Sequence, residues 1–147
     1  MRTNGILRVI TRFLIPLIML FALYVQFHGE YSPGGGFQAG VVFASAWILF
    51  ALIYGLDMAL KIIPLRVQYF GACLGVLLYS FIGLLGVALG GRFLDYDPLL
   101  PGPKAAQQAG IVLVEFGVGV TVATVAMLFF TLFARRKREL ERLDGDT

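Results

Sequence analysis

Cysteine, histidine and charge are all scarce in this 147-residue sequence. Cys73 is the only cysteine, which excludes a disulfide within the chain and a CxxC metal site. His28 is the only histidine, which excludes HExxH and Cys/His zinc sites. Charged residues make up 14% of the chain and apolar residues 59%, whereas soluble domains contain roughly 25% and 45–50%. The composition therefore predicts a small integral membrane protein.

Four apolar stretches are long enough to cross a hydrocarbon core, which needs about 20 helical residues. We predict an all-α membrane protein of one domain, with transmembrane helices over about 6–27, 37–56, 67–89 and 109–133 and a tail over 134–147. Arg8 and Arg12 lie near the start of the first span, from which long side chains can reach the interface. From Phe13 onward, the spans contain one charged residue, Glu115. A bilayer imposes this partition because a charge at its centre is costly.

Lysine and arginine are distributed unevenly over the predicted connections. Two of the twelve lie in the third connection, Arg92 and Lys104. The other ten lie in the N-terminal segment, the second connection or the tail: Arg2, Arg8, Arg12, Lys61, Arg66, Arg135, Arg136, Lys137, Arg138 and Arg142. The positive-inside rule therefore predicts that both termini are cytoplasmic. The RRKR run at 135–138 is better explained as a topology anchor that favours anionic lipid than as a nucleic-acid site.

Glycine spacing predicts close helix contacts in the third and fourth spans. Gly71, Gly75 and Gly83 follow a stride of four with one step omitted. Small residues that permit close backbone approach mark contact faces between helices in membranes. In the fourth span, Glu115 shares a face with Gly119. We therefore expect the Glu115 carboxylate to face protein.

The first external connection carries a proline followed by three glycines, within FHGEYSPGGGFQAGVV at 27–42. The proline cannot continue the first helix, and the glycines permit backbone conformations and close approaches closed to other residues. Their N–H groups are expected at the amino end of the second span, where the helix dipole is positive. The motif is either a tight turn or a packing wedge or ion-lined mouth, with His28 and Glu30 as polar groups. Its residues are Pro33, Gly34, Gly35, Gly36 and Phe37.

This motif and the layout around it resemble the B subunit (MnhB/MrpB) of the multisubunit Mrp-type Na⁺/H⁺ antiporters. The resemblance rests on GEYSPGGGFQAG at 29–40, on the four spans that cover almost the whole chain, and on EFGV at 115–118. It implies a cofactor-free subunit of the bacterial cell membrane, a transporter component rather than an enzyme, without catalytic residues or a metal site. The implied partners are the other subunits, membrane lipid, and Na⁺ and H⁺ as transported ions. In such assemblies the large subunits carry most proton transfer, and small subunits form the adjoining wall and part of the sodium path.

Two alternatives stay open. Subunits similar to this one occur in membrane-bound hydrogenase complexes, where an electron-transfer module drives ion pumping. The other alternative is a self-sufficient four-helix exporter that forms homodimers. The single charge within the spans argues against it, because a coupled transporter needs more polar machinery.

Five residues are candidates for the ion path. Glu115 lies roughly 9 Å from the outer end of its span at 1.5 Å per residue. With no basic residue in the apolar part of any span, its carboxylate is expected to accept a proton or bind a cation, or else to bond neighbouring backbone or reach the interface. His28 either senses external pH or caps the helix. The hydroxyls of Thr121 and Thr124 either interact with an ion or bond back to their own helix. The candidates are Glu115, His28, Glu30, Thr121 and Thr124.

Overall fold

The computed structural model describes residues 5–29, 34–97 and 102–145, and the regular structure within these ranges is helical, without strands. Four of the helices are long and apolar enough to cross a membrane. The predicted all-α fold with four transmembrane helices is thus confirmed. The helices in chain order are α1 (Gly5–Phe27), α2 (Gly36–Tyr54), α3 (Leu56–Ile62), α4 (Leu65–Ala88) and α5 (Pro103–Gly145).

Helix α1 turns one narrow face toward the rest of the protein. Its buried residues are separated by 4, 7 and 4 positions, which keeps them on one side of a helix with 3.6 residues per turn. This face packs mainly against α2. The predicted start near residue 6 agrees with the observed start at Gly5, and Pro16 lies inside the helix. The buried residues are Thr11, Ile15, Ala22 and Gln26.

The second span ends earlier than we predicted because Gly55 interrupts the helix. Gly55 has φ 96° and ψ 148°, a conformation that L side chains rarely adopt. Helix α2 therefore ends at Tyr54, and Leu56, the predicted last residue of the span, begins the short helix α3. Asp57 lies in the first turn of α3 and Lys61 in its last turn, each at the end that the helix dipole favours. Hydropathy alone does not detect such a break inside an apolar run.

Helix α5 is longer than the predicted fourth span at both ends. Its 43 residues correspond to about 65 Å at 1.5 Å per residue, whereas a hydrocarbon core is about 30 Å thick. It begins at Pro103, the helix position that best tolerates a missing N–H. The last part of the predicted third connection is therefore helical. At its other end the helix continues through the tail, where Lys137 and Glu141 form an exposed i,i+4 pair at 3.8 Å.

Helices α2 and α5 form the centre of the bundle, with α1 on α2 and α4 on α5. Trp47 is the largest buried side chain, and its ring meets Phe130 edge-on with the centroids 6.2 Å apart. Most of the large apolar side chains elsewhere are exposed, as expected of a surface that faces lipid or other proteins. The main buried cluster lies between α2, α3 and α5 and contains Ala44, Trp47, Ala51, Leu56, Ala59, Ala123 and Met127.

At one end of the bundle, polar and charged side chains join α1 to α2 and α5 to α3. At one end the Tyr54 hydroxyl donates to the carbonyl of Arg8 at 3.0 Å. At the same end, Nη1 of Arg138 donates to both carboxylate oxygens of Asp57, at 3.0 and 3.1 Å. We call this the basic end, and we call the opposite end, where α1 passes to α2, the Glu115 end.

Candidate functional site

The start of α2 contains glycines whose backbone conformation or close contacts disfavour a side chain. Gly35 is the N-cap of α2 and has φ 131° and ψ −179°, a region closed to side chains with a Cβ. Gly34 lies against α1, since a methyl group placed on it would be 3.1 Å from the carbonyl oxygen of Val25. Phe37, the last residue of the predicted motif, points outward and is exposed. The first turn of α2 is thus held close to both α1 and α5.

The Glu115 carboxylate lies directly against this turn. A methyl group placed on Gly29 would be 2.9 Å from Oε2 and 3.1 Å from Oε1 of Glu115. One placed on Gly35 would be 3.1 Å from Oε1, and one placed on Gly36 would collide with the Glu115 backbone. We call Gly29, Gly35 and Gly36 the glycine cradle. The expectation that this carboxylate faces protein agrees with its half-buried position between three helices.

The cradle places the carboxylate at the amino end of a helix. The first helical hydrogen bond of α2 runs from the N–H of Ala39 to the carbonyl of Gly35, at 3.0 Å. The N–H groups before Ala39 have no partner within the helix, and together with the helix dipole they favour a negative charge nearby. The amide oxygen of Gln38 is also nearby. It would be 3.6 Å from a methyl group placed on Gly35, the same group that would be 3.1 Å from Glu115 Oε1. The arrangement can hold a carboxylate within a largely apolar bundle.

The remaining predicted polar groups of the first connection are placed differently. His28 is exposed, stacks on Tyr24 with the ring centroids 4.2 Å apart, and has Nδ1 3.1 Å from the Tyr24 carbonyl oxygen. His28 thus lies as an exposed polar group at the end of α1. Glu30 and Pro33 lie outside the described residues.

The two threonines of the ion-path prediction bond to their own helix. Thr121 Oγ1 donates to the carbonyl of Gly117 at 2.8 Å, and Thr124 Oγ1 donates to that of Val120 at 2.7 Å. Both face α4, because a methyl group on Gly75 would meet Thr121 and one on Gly71 would meet Thr124. Their geometry thus corresponds to the second of the two roles considered for them.

The four glycines predicted to mediate packing have different neighbours. Gly71 and Gly75 lie against α5, whereas Gly83 lies against Phe93 in the connection between α4 and α5. Gly119 lies against Gln26 of α1, and a methyl group on it would be 3.2 Å from the Gly36 carbonyl oxygen. Of the three predicted glycines on α4, Gly71 and Gly75 therefore lie at the close contact with α5. Gly83 instead makes room for the connection that follows α4.

Buried amides within the spans were missed by reasoning that looked for charges. Gln68 is fully buried, donates through Nε2 to the carbonyl of Ile63 at 3.1 Å and accepts from Thr131 at 3.1 Å. Gln26 is 8% exposed, and its Nε2 has no hydrogen-bond partner within residues 5–29, 34–97 and 102–145. Such residues stand out in the sequence as uncharged polar groups within apolar runs, which was the available signal.

Residues 92–97, in the connection between α4 and α5, pack against the Glu115 end of these helices. Tyr96 fills the space left by Gly110, and Gln107 donates to Asp97 at 2.8 Å. Burial raises the pKa of the Tyr96 hydroxyl above 10.0, with a further contribution from Tyr79. These contacts fix the first turns of α5, the helix that carries Glu115.

Comparison with known proteins identifies the family. A family model described as "Domain related to MnhB subunit of Na+/H+ antiporter" matches residues 6–128. The chain belongs to the MnhB family. It is accordingly a multi-pass membrane subunit of a multisubunit Na⁺/H⁺ antiporter, as the resemblance implied.

Two relatives from Staphylococcus aureus, both named "Putative antiporter subunit mnhB2", match this MnhB-family chain over most of its length. The protein from strain MRSA252 is 28% identical over 130 residues, which cover 87% of this chain and 92% of the relative. The protein from strain Newman is 30% identical over 129 residues, which cover 85% of this chain and 91% of the relative.

Proposed function

We propose that this MnhB-family subunit contributes one acidic position to the ion path of the antiporter. In this proposal Glu115 takes up and releases a transported cation, H⁺ or Na⁺, and the surrounding helices form part of the wall of the path. The observation that carries the proposal is the setting of Glu115, the one charged residue in the apolar part of the spans, against the glycine cradle.

Two opposing effects act on the charge of this carboxylate. Removal from water disfavours the ionised form, whereas the amino end of α2 favours it. A carboxylate held between such effects can exchange between its neutral and ionised forms, or between a bound proton and a bound cation. A carboxylate that is fixed permanently in either form could not serve transport.

The chain's charge distribution supports an orientation with both termini in the cytoplasm. Arg8, Lys61 and Arg135 lie at the basic end, and lysine and arginine are retained on the cytoplasmic side. The Glu115 end then faces outward, and the basic end contacts anionic lipid. In this role the chain is a secondary-transporter subunit and performs no enzymatic step.

Orientation is tested by labelling. In a Cys73→Ser background, a cysteine introduced by Arg135→Cys should react with a membrane-impermeant thiol reagent only after the cells are permeabilised. Labelling at this position in intact cells would show that the orientation is the opposite of the one proposed.

The role of Glu115 is tested in vesicles that contain the complete antiporter. Glu115→Gln keeps the shape of the side chain but removes its charge, so Na⁺-dependent proton movement should fall to the level of vesicles without the complex. Glu115→Asp keeps the charge with a shorter side chain and should retain part of the activity. Glu139→Gln, on the exposed extension of α5, is the matched control and should transport normally.

The test also separates transport from assembly. Each variant complex is purified in mild detergent, and its subunit composition is compared with that of the unaltered complex. Normal transport by a normally assembled Glu115→Gln complex would exclude this carboxylate from the ion path. Co-purification with metal-cluster subunits of the hydrogenase type would indicate that this chain works in a hydrogenase complex and not in an antiporter.

A further inference from the structure

Gln38, in the first turn of α2, brings an amide oxygen to the Glu115 carboxylate. A methyl group placed on Gly35 would be 3.1 Å from Oε1 of Glu115 and 3.6 Å from Oε1 of Gln38. Because both oxygens lie that close to one point, they are at most 6.7 Å apart. The two side chains therefore border a common space, which a Cβ on Gly35 would partly fill.

The two oxygens of the carboxylate have different surroundings. Oε2 of Glu115 lies toward Gly29, at 2.9 Å from the methyl position there. Oε1 lies between the methyl positions on Gly29 and Gly35, at 3.1 Å from each. Oε1 is thus the carboxylate oxygen that shares the common space with Gln38.

The oxygens that border this space are of the types that hard cations bind. A carboxylate supplies negative charge and an amide carbonyl supplies a dipole, and protein sites for such cations combine these groups with water. Two acceptor oxygens that face each other repel, since each carries full or partial negative charge. A sodium ion between them would attract both oxygens and remove this repulsion.

The amide is the accessible member of the pair. Gln38 is exposed, whereas Glu115 is half-buried. An exposed glutamine can rotate about its side-chain bonds, so its carbonyl oxygen can move toward an ion held at the carboxylate. Along α2 the first ionisable side chain is Tyr54, at the basic end. No charged side chain of α2 therefore takes the place of the amide at this end.

We propose that Gln38 is the second ligand of the cation that Glu115 binds. Its amide oxygen and Oε1 of Glu115 hold a sodium ion between them, and water completes the coordination. The inference rests on the proposed role of Glu115 and narrows the cation at that position to Na⁺. It assigns to Gln38 a part in sodium affinity that a search for charged residues does not detect.

The proposal is tested by the sodium dependence of transport, measured at constant pH in vesicles that contain the complete antiporter. Gln38→Leu removes the amide oxygen at a similar side-chain size. The KM for Na⁺ should rise about tenfold, since a contact with a charged partner contributes about that factor. The rate at saturating Na⁺ should be largely retained. Gln38→Glu keeps an oxygen and adds a negative charge, so its KM for Na⁺ should fall below that of the unaltered complex.

Opposite changes in these two variants separate a ligand from a structural role, because loss of a structural side chain would impair both variants alike. Val41→Leu is the matched control, since Val41 is also exposed and lies one turn further along α2. Its KM should be unaltered. Gln38→Asn, which shortens the side chain by one methylene, is the second variant in case the Gln38→Leu complex does not assemble. It should also raise the KM for Na⁺.

An unchanged KM for Na⁺ in a normally assembled Gln38→Leu complex would overturn the proposal. An equal rise in the Gln38→Leu and Gln38→Glu complexes would overturn it as well. These results are distinct from a failure of the proposed function. If Glu115→Gln abolishes transport while Gln38→Leu keeps the unaltered KM, the role of Gln38 alone is refuted. If Glu115→Gln transports normally, both roles are refuted.

Discussion

Replacing Gly36 by alanine tests whether the approach of α2 to α5 depends on the missing side chain. The added methyl group would lie 2.8 Å from the carbonyl carbon of Glu115 and 3.1 Å from its Cα, and closer still to its carbonyl oxygen. Carbon atoms in contact are about 3.5–4.0 Å apart, so the two helices would have to separate by roughly 1 Å here. Because all three atoms belong to the backbone, no side-chain rotation can relieve the contact.

The expected loss of stability lies at the upper end of the range for overpacking, about 1–3 kcal/mol. Separation at Gly36 would also loosen the next turn, where a methyl group on Gly40 would be 2.6 Å from the carbonyl oxygen of Gly119. At 1.4 kcal/mol per factor of ten, a loss of about 3 kcal/mol lowers the folding equilibrium constant about 100-fold.

The assay is thermal release of this subunit from the complex in mild detergent. At roughly 2–4 °C per kcal/mol, the midpoint should fall by about 6–12 °C for Gly36→Ala. Gly5→Ala is the control, since a methyl group there meets nothing within 4 Å, and its midpoint should not fall. If Gly36→Ala kept the unaltered midpoint, the close contact of the two backbones would be wrong.

Three further predictions concern other contacts of the bundle. Gly29→Ala brings a methyl group against the Glu115 carboxylate. It should slow transport less in a Glu115→Asp background than in the unaltered chain, because the shorter side chain withdraws the carboxylate. Additive effects of the two substitutions on the transport rate would contradict this. Thr131→Val removes a fully buried hydroxyl whose proton is shared between Gln68 Oε1, at 3.1 Å, and the Met127 carbonyl, at 2.8 Å. It should cost about 1–3 kcal/mol, measured as thermal release, and an unchanged midpoint would exclude this hydroxyl as a source of stability. Burial raises the pKa of the Tyr96 hydroxyl, so the folded state holds that proton more tightly than the unfolded state does. The contribution of Tyr96 to the free energy of unfolding is therefore full below about pH 10 and is lost as the pH rises further. Tyr96→Phe should flatten this alkaline loss in a pH series of unfolding midpoints, and an identical profile would count against the burial effect.

The transmembrane helices could be predicted because the bilayer acts on composition. Long apolar runs with charges between them specify where a chain crosses, whatever the packing. The bounds of α2 could not be predicted in the same way, because Gly55 breaks an uninterrupted apolar run through its backbone conformation. Helix α3 was missed for a different reason: its seven residues are too few to form a recognisable periodic pattern.

The candidate site was predicted in parts but not as a whole. The glycine motif and Glu115 were each identified, and the topology places both at the same end of the bundle. Their direct contact was not foreseen, because residues 29–36 and 115 are far apart in the chain and no local pattern pairs them. The contact depends on how closely α2 approaches α5, which Gly36 and Gly40 determine through the absence of side chains.

The same contacts indicate which part of the site can move. Gly36 against Glu115 and Gly40 against Gly119 join the backbones of α2 and α5 over two successive turns, so separating these helices would break both contacts at once. Helix α1 makes few contacts with α5, although Gly29, two residues beyond the end of α1, closes one side of the carboxylate. Access to Glu115 is therefore expected to change through α1 rather than α2.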